Sequence, residues 1–227
     1  MFSIVIPVYN EEEIIESNVK KLIKFLHSYN DYEIIIANNG STDKTLDKAK
    51  KLSRKYKQVK FVTISIKGAG LAFKMAAKKS KHNILISQDM DLSTDLSFID
   101  KAVKLMRRYD IVIGSKKIGK QERSFFRKIP SNIFIFLTKL LLNLDYEDYS
   151  MAAKAYRKKH VLKHLNKIDD GTSYVIELIY FGKKDNKKII EIPVNCSDKR
   201  KSKFNIINES IYRFKNLVKL SIYGLKM

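Results

Sequence analysis

The chain has few of the residues that define several protein classes. Its 227 residues include one cysteine, Cys196, together with 3 Pro, 8 Gly and no Trp. A single cysteine excludes an intrachain disulfide and a cysteine-based metal site, and it fits a reducing compartment. Because so little Pro and Gly is present, no linker divides the chain. We therefore expect one domain over residues 1–227, with a first half at 1–115 and a second half at 116–227.

Long apolar runs are missing as well. No stretch approaches the roughly 20 consecutive apolar residues that a membrane-spanning helix needs. The N-terminus begins with a strand-like run at residues 2–8, without the basic segment and cleavage site of a signal peptide. We expect a cytoplasmic protein that is either soluble or bound peripherally to the cytoplasmic face of a membrane.

Acidic residues are scarce compared with basic ones. Lys and Arg total 45 against 24 Asp and Glu, which gives a formal net charge of +21. Such a surplus attracts nucleic acids, anionic lipid headgroups or phosphorylated small molecules, although a Lys-rich composition also arises with no partner at all. No helix-turn-helix, zinc-finger or RNA-stacking pattern is present. We expect no nucleic-acid partner, and a basic nucleic-acid-binding protein stays an alternative.

The hydrophobic pattern of the first half predicts a parallel sheet. Short runs rich in Ile and Val alternate with segments whose apolar residues recur every three or four positions, as βαβ units require. The predicted strands are 2–8, 32–37, 59–64, 83–87 and 110–114. Because parallel strands end at the same edge of a sheet, residues 7–11, 38–43 and 88–91 should converge on one crevice.

The second half has a less regular pattern. We expect a basic loop at 116–128, an apolar segment at 133–144, strands at 152–156 and 188–194, and helices at about 172–183 and 206–225. The last helix has an apolar stripe and a basic remainder. Such a helix can lie on an anionic membrane, or it can pack on the core of its own domain. The stripe consists of Ile207, Ile211, Phe214, Val218, Ile222 and Leu225.

Two carboxylates one residue apart follow the fourth predicted strand. Asp89 and Asp91 can turn toward a common point, where they would bind a hard divalent cation such as Mg²⁺ or Mn²⁺. A lone D-x-D pattern is weak evidence, because it also describes an ordinary turn in which Ser93 or Thr94 caps the next helix. Ser41 and Thr42 hold a similar capping position after the second predicted strand.

Three segments together resemble glycosyltransferase family 2. They are SIVIPVYNEEE at 3–13, EIIIANNGSTDKT at 33–45 and DMDLS at 89–93. Further segments are similar to the branch of that family that transfers hexoses to polyprenyl or dolichyl phosphate, and they extend the resemblance to nearly the whole chain. These are KGAGLAFKMAA at 67–77, VIGSKK at 112–117, DYSMAAKAYRK at 148–158 and the late KRKSKFN at 199–205.

The resemblance implies the GT-A fold, an α/β architecture with a mostly parallel Rossmann-like sheet flanked by helices and an acceptor-side extension at the C-terminus. It also implies a metal-dependent, inverting transfer of a hexose from a GDP- or UDP-sugar to a lipid phosphate. The implied donor site comprises Pro7, Tyr9, Glu11, Asn38, Gly68 and Asp89. The implied metal ligands are Asp89 and Asp91.

The acceptor side is implied by the same resemblance. Lys116, Arg127 and Arg200 match cations for the acceptor phosphate, and Glu177 matches a recurring glutamate. Asp91, Asp148 and Arg127 are the implied catalytic residues. Asp148 would be a base for a hydroxyl acceptor, or an orienting residue for a lipid phosphate, whose oxygen is already anionic.

Several positions depart from the family pattern. Asn38 stands where the family usually has Asp, Ser93 where the branch often has Gln, and Ala152-Ala153 where a Gly-aromatic pair is common. Two alternatives therefore stay open within the family: a transferase acting on a glycan hydroxyl, and a non-catalytic homologue that serves as a binding subunit. A membrane surface or a membrane-anchoring protein would be a partner of the lipid-phosphate transferase.

Overall fold

A computed structural model describes residues 1–119, 125–197 and 206–225, with side chains for all of these except 125–130, 206 and 224–225. Seven strands form one sheet in the order β3-β2-β1-β4-β6-β5-β7. The strands are β1 (Phe2–Val8), β2 (Tyr32–Asn39), β3 (Val59–Ile64), β4 (Ile84–Ser87), β5 (Ile111–Ser115), β6 (Lys154–Arg157) and β7 (Ile189–Pro193). The helices are α1 (Ile15–Phe25), α2 (Thr45–Lys55), α3 (Ala69–Lys79), α4 (Ser97–Leu105), α5 (Phe125–Leu142), α6 (Lys158–His164), α7 (Tyr174–Lys184) and α8 (Ile206–Leu225).

Helices cover both faces of the sheet because successive strand residues point in opposite directions. On β1, Val5 belongs to one hydrophobic cluster, while Ile4 belongs to the cluster on the other face. The first cluster includes Phe73 of α3, whose ring stacks on Tyr174 of α7 with centroids 4.7 Å apart. The second includes the buried Leu22 of α1. The predicted α/β class with a mostly parallel, helix-flanked sheet is confirmed.

The first four strands are parallel, as expected. β1 lies between β2 and β4, with Val8 opposite Asn38 and Val5 opposite Ser87. The carboxyl ends of all three strands therefore meet at one edge of the sheet, which we call the carboxyl edge. The predicted convergence of residues 7–11, 38–43 and 88–91 is confirmed at this edge.

β6 runs against its neighbours and separates β4 from β5. Lys154, at its start, lies opposite Ser87 of β4 and Ile113 of β5, whereas Arg157, at its end, lies opposite Ile84. Because β6 is antiparallel, the segment that precedes it lies at the carboxyl edge and α6, which follows it, lies at the opposite edge. The order and direction of these strands were not predicted from the sequence.

Two expectations for the second half need correction. The basic loop expected at 116–128 ends early, because α5 already begins at Phe125, and residues 120–124 lie outside the described residues. The apolar segment 133–144 continues that helix to Leu142. Helix α6 was not expected at all. Within the described ranges, none of the helices combines the length and apolar character that crossing a bilayer requires.

Candidate active site

The loop after β1 is bonded to the loop after β2. The backbone N–H of Asn10 donates to Ser41 Oγ at 3.0 Å, and Asn10 Oδ1 accepts from the N–H of Thr42 at 2.8 Å. Ser41 and Thr42, expected to cap α2, instead contact Asn10. Asp43, two residues before α2, accepts a 2.9 Å hydrogen bond at Oδ1 from the N–H of Thr45, the first residue of that helix. These bonds hold the predicted donor loop in a defined position on the carboxyl edge.

The predicted donor residues of this loop are partly buried. Pro7 lies opposite Ala37 of β2 within the sheet, and Tyr9 directly follows Val8, the last residue of β1. The ammonium of Lys67 lies 4.2 Å from the centroid of the Tyr9 ring, which is a cation–π contact. The N–H of Glu11 donates to Thr45 Oγ1 at 2.7 Å. The structure thus adds Lys67 to the residues around the predicted donor site.

Asn38 has an unused hydrogen-bond acceptor. The side chain is buried at the end of β2, and its Nδ2 donates to Thr63 Oγ1 at 2.9 Å. Its Oδ1 is buried and has no hydrogen-bond partner among the described residues. A buried acceptor without a partner is costly, so a ligand N–H that reaches this oxygen would be bound favourably.

Gly68 packs closely on a neighbouring loop. Its N–H donates to Asn39 Oδ1, and a Cβ at this position would lie 2.9 Å from the carbonyl oxygen of Asp170. The N–H groups of Gly70 and Leu71, in the first turn of α3, donate to the carbonyls of Gly171 and Asp170. Loop carbonyls therefore occupy the start of α3, and a donor-binding role for Gly68 stays a prediction.

Asp89 and Asp91 lie in a tight turn directly after β4. The N–H of Leu92, whose φ is +52°, donates to the carbonyl of Asp89 at 3.2 Å, and the N–H of Ser93 donates to Asp91 Oδ1 at 3.0 Å. Asn18 of α1 anchors the turn through a 2.9 Å bond to the carbonyl of Met90. The turn lies at the carboxyl edge, and its two carboxylates are close enough for the charge of Asp91 to act on Asp89.

The helix after this turn is capped differently from the expectation. Asp95 Oδ1 accepts from the N–H of Ser97 at 2.9 Å, at the start of α4. Thr94 instead forms a β-bridge with Cys196, and the N–H of Ser197 donates to the carbonyl of Ser93 at 2.9 Å. The segment that leads toward residues 198–205 therefore runs beside the Asp89–Asp91 turn.

The surroundings of Asp89 disfavour its ionised form. Burial and the neighbouring charge of Asp91 raise the pKa of Asp89 to about 6, although Lys116, the N–H of Ala152 and Lys154 act in the opposite direction. Two carboxylates that repel each other in a partly buried turn suit a divalent cation, because the cation would remove the repulsion. The donor set fits Mg²⁺ or Mn²⁺.

Asp148 is buried among cations. Its Oδ2 lies 3.8 Å from Lys116 Nζ, and its Oδ1 lies 3.8 Å from Lys154 Nζ. Oδ1 also accepts from the N–H groups of Ser150 and Met151 at 2.9 and 3.0 Å. Burial opposes ionisation, but Lys154 and Lys116 outweigh it and lower the pKa of Asp148 to about 2. We call Asp148, Lys116 and Lys154 the buried charge cluster.

Two members of this region were missed from the sequence. Lys154 is fully buried and donates to the carbonyls of Gly114 and Met151, both at 3.1 Å. Glu191 of β7 accepts from the N–H of Asp148 at 2.9 Å. The position of Lys154 between two alanines of a predicted strand was the only feature of the sequence that set this lysine apart. No pattern near Glu191 indicated that it binds the backbone of Asp148.

Glu177 belongs to a second set of polar side chains, which joins α7 to α8. It is buried on α7 and accepts from the N–H of Asp169, while Tyr212 of α8 donates to Asp169 at 2.6 Å. Burial raises the pKa of Glu177 to about 7, and the charge of Asp169 adds to that rise, while the N–H of Asp169 and Lys74 lower it. Glu177 therefore holds a proton more readily than an ordinary glutamate.

The structure brings together Asp89, Lys116 and Asp148 from the predicted site, and it places the loops of Tyr9 and Asn38 at the same edge. Arg127 lies on the backbone of α5, but its side chain is outside the described residues, as is all of Arg200. The acceptor roles predicted for these two arginines stay predictions.

The sequence of the chain matches the model of a known protein family. The model of glycosyl transferase family 2 matches residues 3–165. The chain belongs to glycosyltransferase family 2. The match spans β1 to β6 and therefore includes the Asp89–Asp91 turn and the buried charge cluster.

Individual relatives agree with this family. The chain is 24% identical over 216 residues to a glycosyltransferase AglD of Haloferax volcanii, covering 91% of this chain and 35% of the relative. It is 28% identical over 244 aligned positions to a dolichol-phosphate mannosyltransferase of Pyrococcus furiosus, covering 98% of this chain and 68% of the relative. The chain thus spans only about a third of the first relative and about two thirds of the second. The name of the Pyrococcus relative confirms the resemblance to the polyprenyl-phosphate branch.

Solved structures agree with the fold. A crystal structure of glucosyl-3-phosphoglycerate synthase from Mycobacterium tuberculosis with UDP superposes with a TM-score of 0.74 at 17% identity, covering 97% of this chain and 80% of the other. At that identity the likeness concerns the fold alone. The GT-A fold expected from the sequence is therefore confirmed.

Replacing Lys154 by Met should destabilise the chain by about 3–5 kcal/mol, because it leaves the buried carboxylate of Asp148 with one cation fewer. Urea denaturation followed by circular dichroism measures the change. Lys117→Met is the matched control, since its 2.8 Å pair with Glu147 is exposed and should contribute less than about 1 kcal/mol. Equal losses in the two variants would contradict the importance of the buried charge cluster.

Replacing Glu177 by Gln should change the pH dependence of stability. Since the folded pKa, about 7, lies above the usual 4.5, the native state keeps a proton that the unfolded state releases, and stability falls as pH rises from 4.5 to 7. Gln removes that fall, which amounts to at most about 3 kcal/mol. Melting temperatures between pH 5 and 8 test this. Glu13→Gln, at an exposed glutamate, should keep the wild-type slope, and an unchanged slope in Glu177→Gln would contradict the prediction.

Proposed function

We propose that this chain transfers a hexose, with inversion, from a GDP- or UDP-sugar to a polyprenyl or dolichyl phosphate, in a reaction that depends on a divalent cation. The observation that carries the proposal is the partly buried Asp89–Asp91 turn at the carboxyl edge, beside the loops of Tyr9 and Asn38. Ligands of open α/β sheets bind at this edge.

Asp89 and Asp91 are the residues that would hold the cation. When bound there, Mg²⁺ or Mn²⁺ supplies positive charge that stabilises the leaving diphosphate. A structure of the mycobacterial synthase, which shares the fold, contains Mn²⁺ and UDP. The raised pKa of Asp89 supports a site whose two carboxylates are best accommodated with a cation present.

Asn38 would contact the base of the donor. Its unpartnered Oδ1 can accept a hydrogen bond from the N–H of a uracil or guanine ring, and this bond does not require the negative charge of the usual Asp. Pro7, Tyr9 and Glu11 complete the nucleoside side of the site. Their loop needs no large rearrangement, because its bonds to residues 41–45 already fix it.

The buried charge cluster favours a phosphate acceptor over a hydroxyl. A base must take a proton from a sugar hydroxyl, but an Asp148 with a pKa of about 2 is a poor proton acceptor at neutral pH. A lipid phosphate is already anionic and needs to be positioned rather than deprotonated. Asp148 would then orient Lys116, with Arg127 and Arg200 as further cations for the phosphate. The name of the Pyrococcus relative supports this acceptor class.

The second candidate is transfer to a glycan hydroxyl, and the third is a non-catalytic binding subunit, suggested by Asn38, Ser93 and Ala152. Neither explains why the carboxylate that opens the acceptor segment is held ionised by two buried lysines.

A membrane surface is the partner that the acceptor would require. Helices α5 and α8 pack against each other, and each exposes large apolar side chains. On α8, Leu217 and Leu220 are buried, while the predicted stripe is largely exposed. The stripe is therefore available for lipid at the cytoplasmic face of a membrane. The exposed apolar residues are Ile133, Phe136, Leu140, Ile207, Ile211, Phe214 and Ile222.

Replacing Asp89 and Asp91 by Asn should lower turnover by at least about 100-fold, because the charge of the leaving diphosphate loses its stabilisation. Transfer of radiolabelled hexose from GDP- and UDP-sugars to polyprenyl phosphate or to a glycan, with and without Mn²⁺, measures it. Asp95→Asn, in the same loop, is the control and should keep activity. Undiminished turnover in the double variant would contradict the proposal, and transfer only to the glycan would favour the second candidate.

Replacing Phe136 and Phe214 together by Ser should weaken binding to vesicles of phosphatidylcholine with anionic phosphatidylglycerol by about tenfold or more, because less apolar surface enters the lipid. Vesicle sedimentation at low and high salt measures the change. Leu162→Ser, at an exposed leucine of α6 on the opposite edge of the sheet, is the control. A wild-type chain that ignores these vesicles at low salt would contradict the membrane contact.

A further inference from the structure

A cluster of two histidines and an aspartate lies away from the active site. His160 and His164 are one helical turn apart on α6, and Asp185 follows the end of α7. His164 Nε2 lies 2.9 Å and His160 Nδ1 lies 3.9 Å from Asp185 Oδ2. One ligand atom from each of the three side chains lies within 4.8 Å of the others.

The hydrogen bonds of His160 determine its tautomer. Its Nε2 lies 2.9 Å from the carbonyl oxygen of Leu178, so this nitrogen must carry the proton and donate. Nδ1 therefore has the lone pair. The ring is buried, and Nδ1 has no hydrogen-bond partner among the described residues. A buried lone pair directed toward a carboxylate is unfavourable unless a cation lies between them.

The other two side chains are also held in position. The His164 ring stacks on Phe181 with centroids 4.5 Å apart and an interplanar angle of 3°. Lys163 Nζ donates to Asp185 Oδ1 at 2.7 Å, which leaves Oδ2 facing the imidazoles. Metal-ligating histidines and carboxylates are commonly fixed by such outer hydrogen bonds.

We propose that His160 Nδ1, His164 Nε2 and Asp185 Oδ2 bind a late first-row divalent cation, of which Zn²⁺ is the representative. Ligands at about 2.0–2.1 Å from a tetrahedral Zn²⁺ are separated by about 3.3 Å, and the two separations from Asp185 Oδ2 bracket this value. Imidazole ligands select Zn²⁺ and its neighbours over Mg²⁺. Solvent completes the coordination.

The protonation states agree with this geometry. Burial and the neighbouring His164 lower the pKa of His160, which keeps its imidazole neutral. Burial opposes ionisation of Asp185, but hydrogen bonds from Lys163 and His164 lower its pKa to about 2. A metal site needs lone pairs on the imidazoles, so on binding the proton that His164 Nε2 shares with Asp185 would move to Nδ1.

The site is structural and is distinct from the Asp89–Asp91 turn. Because β6 is antiparallel, α6 leaves the sheet at the edge opposite the active site, and the chain after Asp185 enters β7 at that same edge. The cation would join α6 to the end of α7. It would stabilise the fold without contacting donor or acceptor.

The test uses the tag-free full chain carrying Asp89→Asn and Asp91→Asn, so that the active site contributes no metal ligand. Equilibrium dialysis against Zn²⁺ should leave about one ion per chain, and His164→Gln or Asp185→Asn should weaken this binding by at least about 100-fold. With free Zn²⁺ at about 100 times its Kd, the melting temperature of the parent should rise by on the order of 5–10 °C, with no such rise in the variants.

His82→Gln is the matched control. His82 is also buried and lies 3.4 Å from an aspartate, Asp31, but it has no second imidazole beside it. This variant should bind Zn²⁺ as the parent does. Absence of bound Zn²⁺ in the parent, or equal binding in His164→Gln, would show an ordinary His–Asp pair and overturn the proposal. Should a variant fail to fold, Co²⁺ is added to the parent instead. Absence of the visible absorption of low-coordinate Co²⁺ in the parent would also overturn the proposal.

Discussion

The pairing of one buried carboxylate with two buried lysines underlies the arrangement of the carboxyl edge around β5, β6 and β7. Asp148 and Lys154 lie six residues apart, Lys116 follows β5, and Glu191 of β7 accepts a hydrogen bond from the backbone N–H of Asp148. Removing Asp148 would leave two buried ammonium groups without their carboxylate, and removing either lysine would leave the carboxylate with one cation fewer. The cluster therefore ties β5, β6 and β7 together and fixes the segment before β6 beside the Asp89–Asp91 turn.

The same edge holds two carboxylates in opposite environments. Burial and Asp91 raise the pKa of Asp89 to about 6, whereas the lysines lower that of Asp148 to about 2. Environments that push two pKa values apart assign different roles to chemically similar groups. Asp89 is suited to a cation that is not part of the chain, while Asp148 already has its cations within the fold. This difference supports the proposed division of the edge into a donor side and an acceptor side.

The His160–His164–Asp185 cluster and the buried charge cluster lie at opposite edges of one sheet. Both places combine a carboxylate with nitrogen groups, but imidazoles offer lone pairs and lysines do not. The proposed late first-row divalent cation could therefore bind at the histidine cluster, whereas the ammonium groups of the buried charge cluster would repel it. The antiparallel β6 lies between the two clusters, with its start at the carboxyl edge and its end directly before α6.

The sequence by itself determined the first four strands, the crevice at their carboxyl ends and the family, because each rests on local periodicity or on a motif that directly follows a strand. The resemblance to the family also predicted Asp89, Asn38, Lys116 and Asp148 as residues of the site. Only the tertiary structure decided that β6 runs antiparallel between β4 and β5, that Lys154 pairs with Asp148, and that Ser41 and Thr42 bind Asn10 rather than α2. The strand order and the Asn10 bonds join residues distant in the chain, and the Lys154–Asp148 pair depends on burial and geometry, which no short stretch of sequence contains.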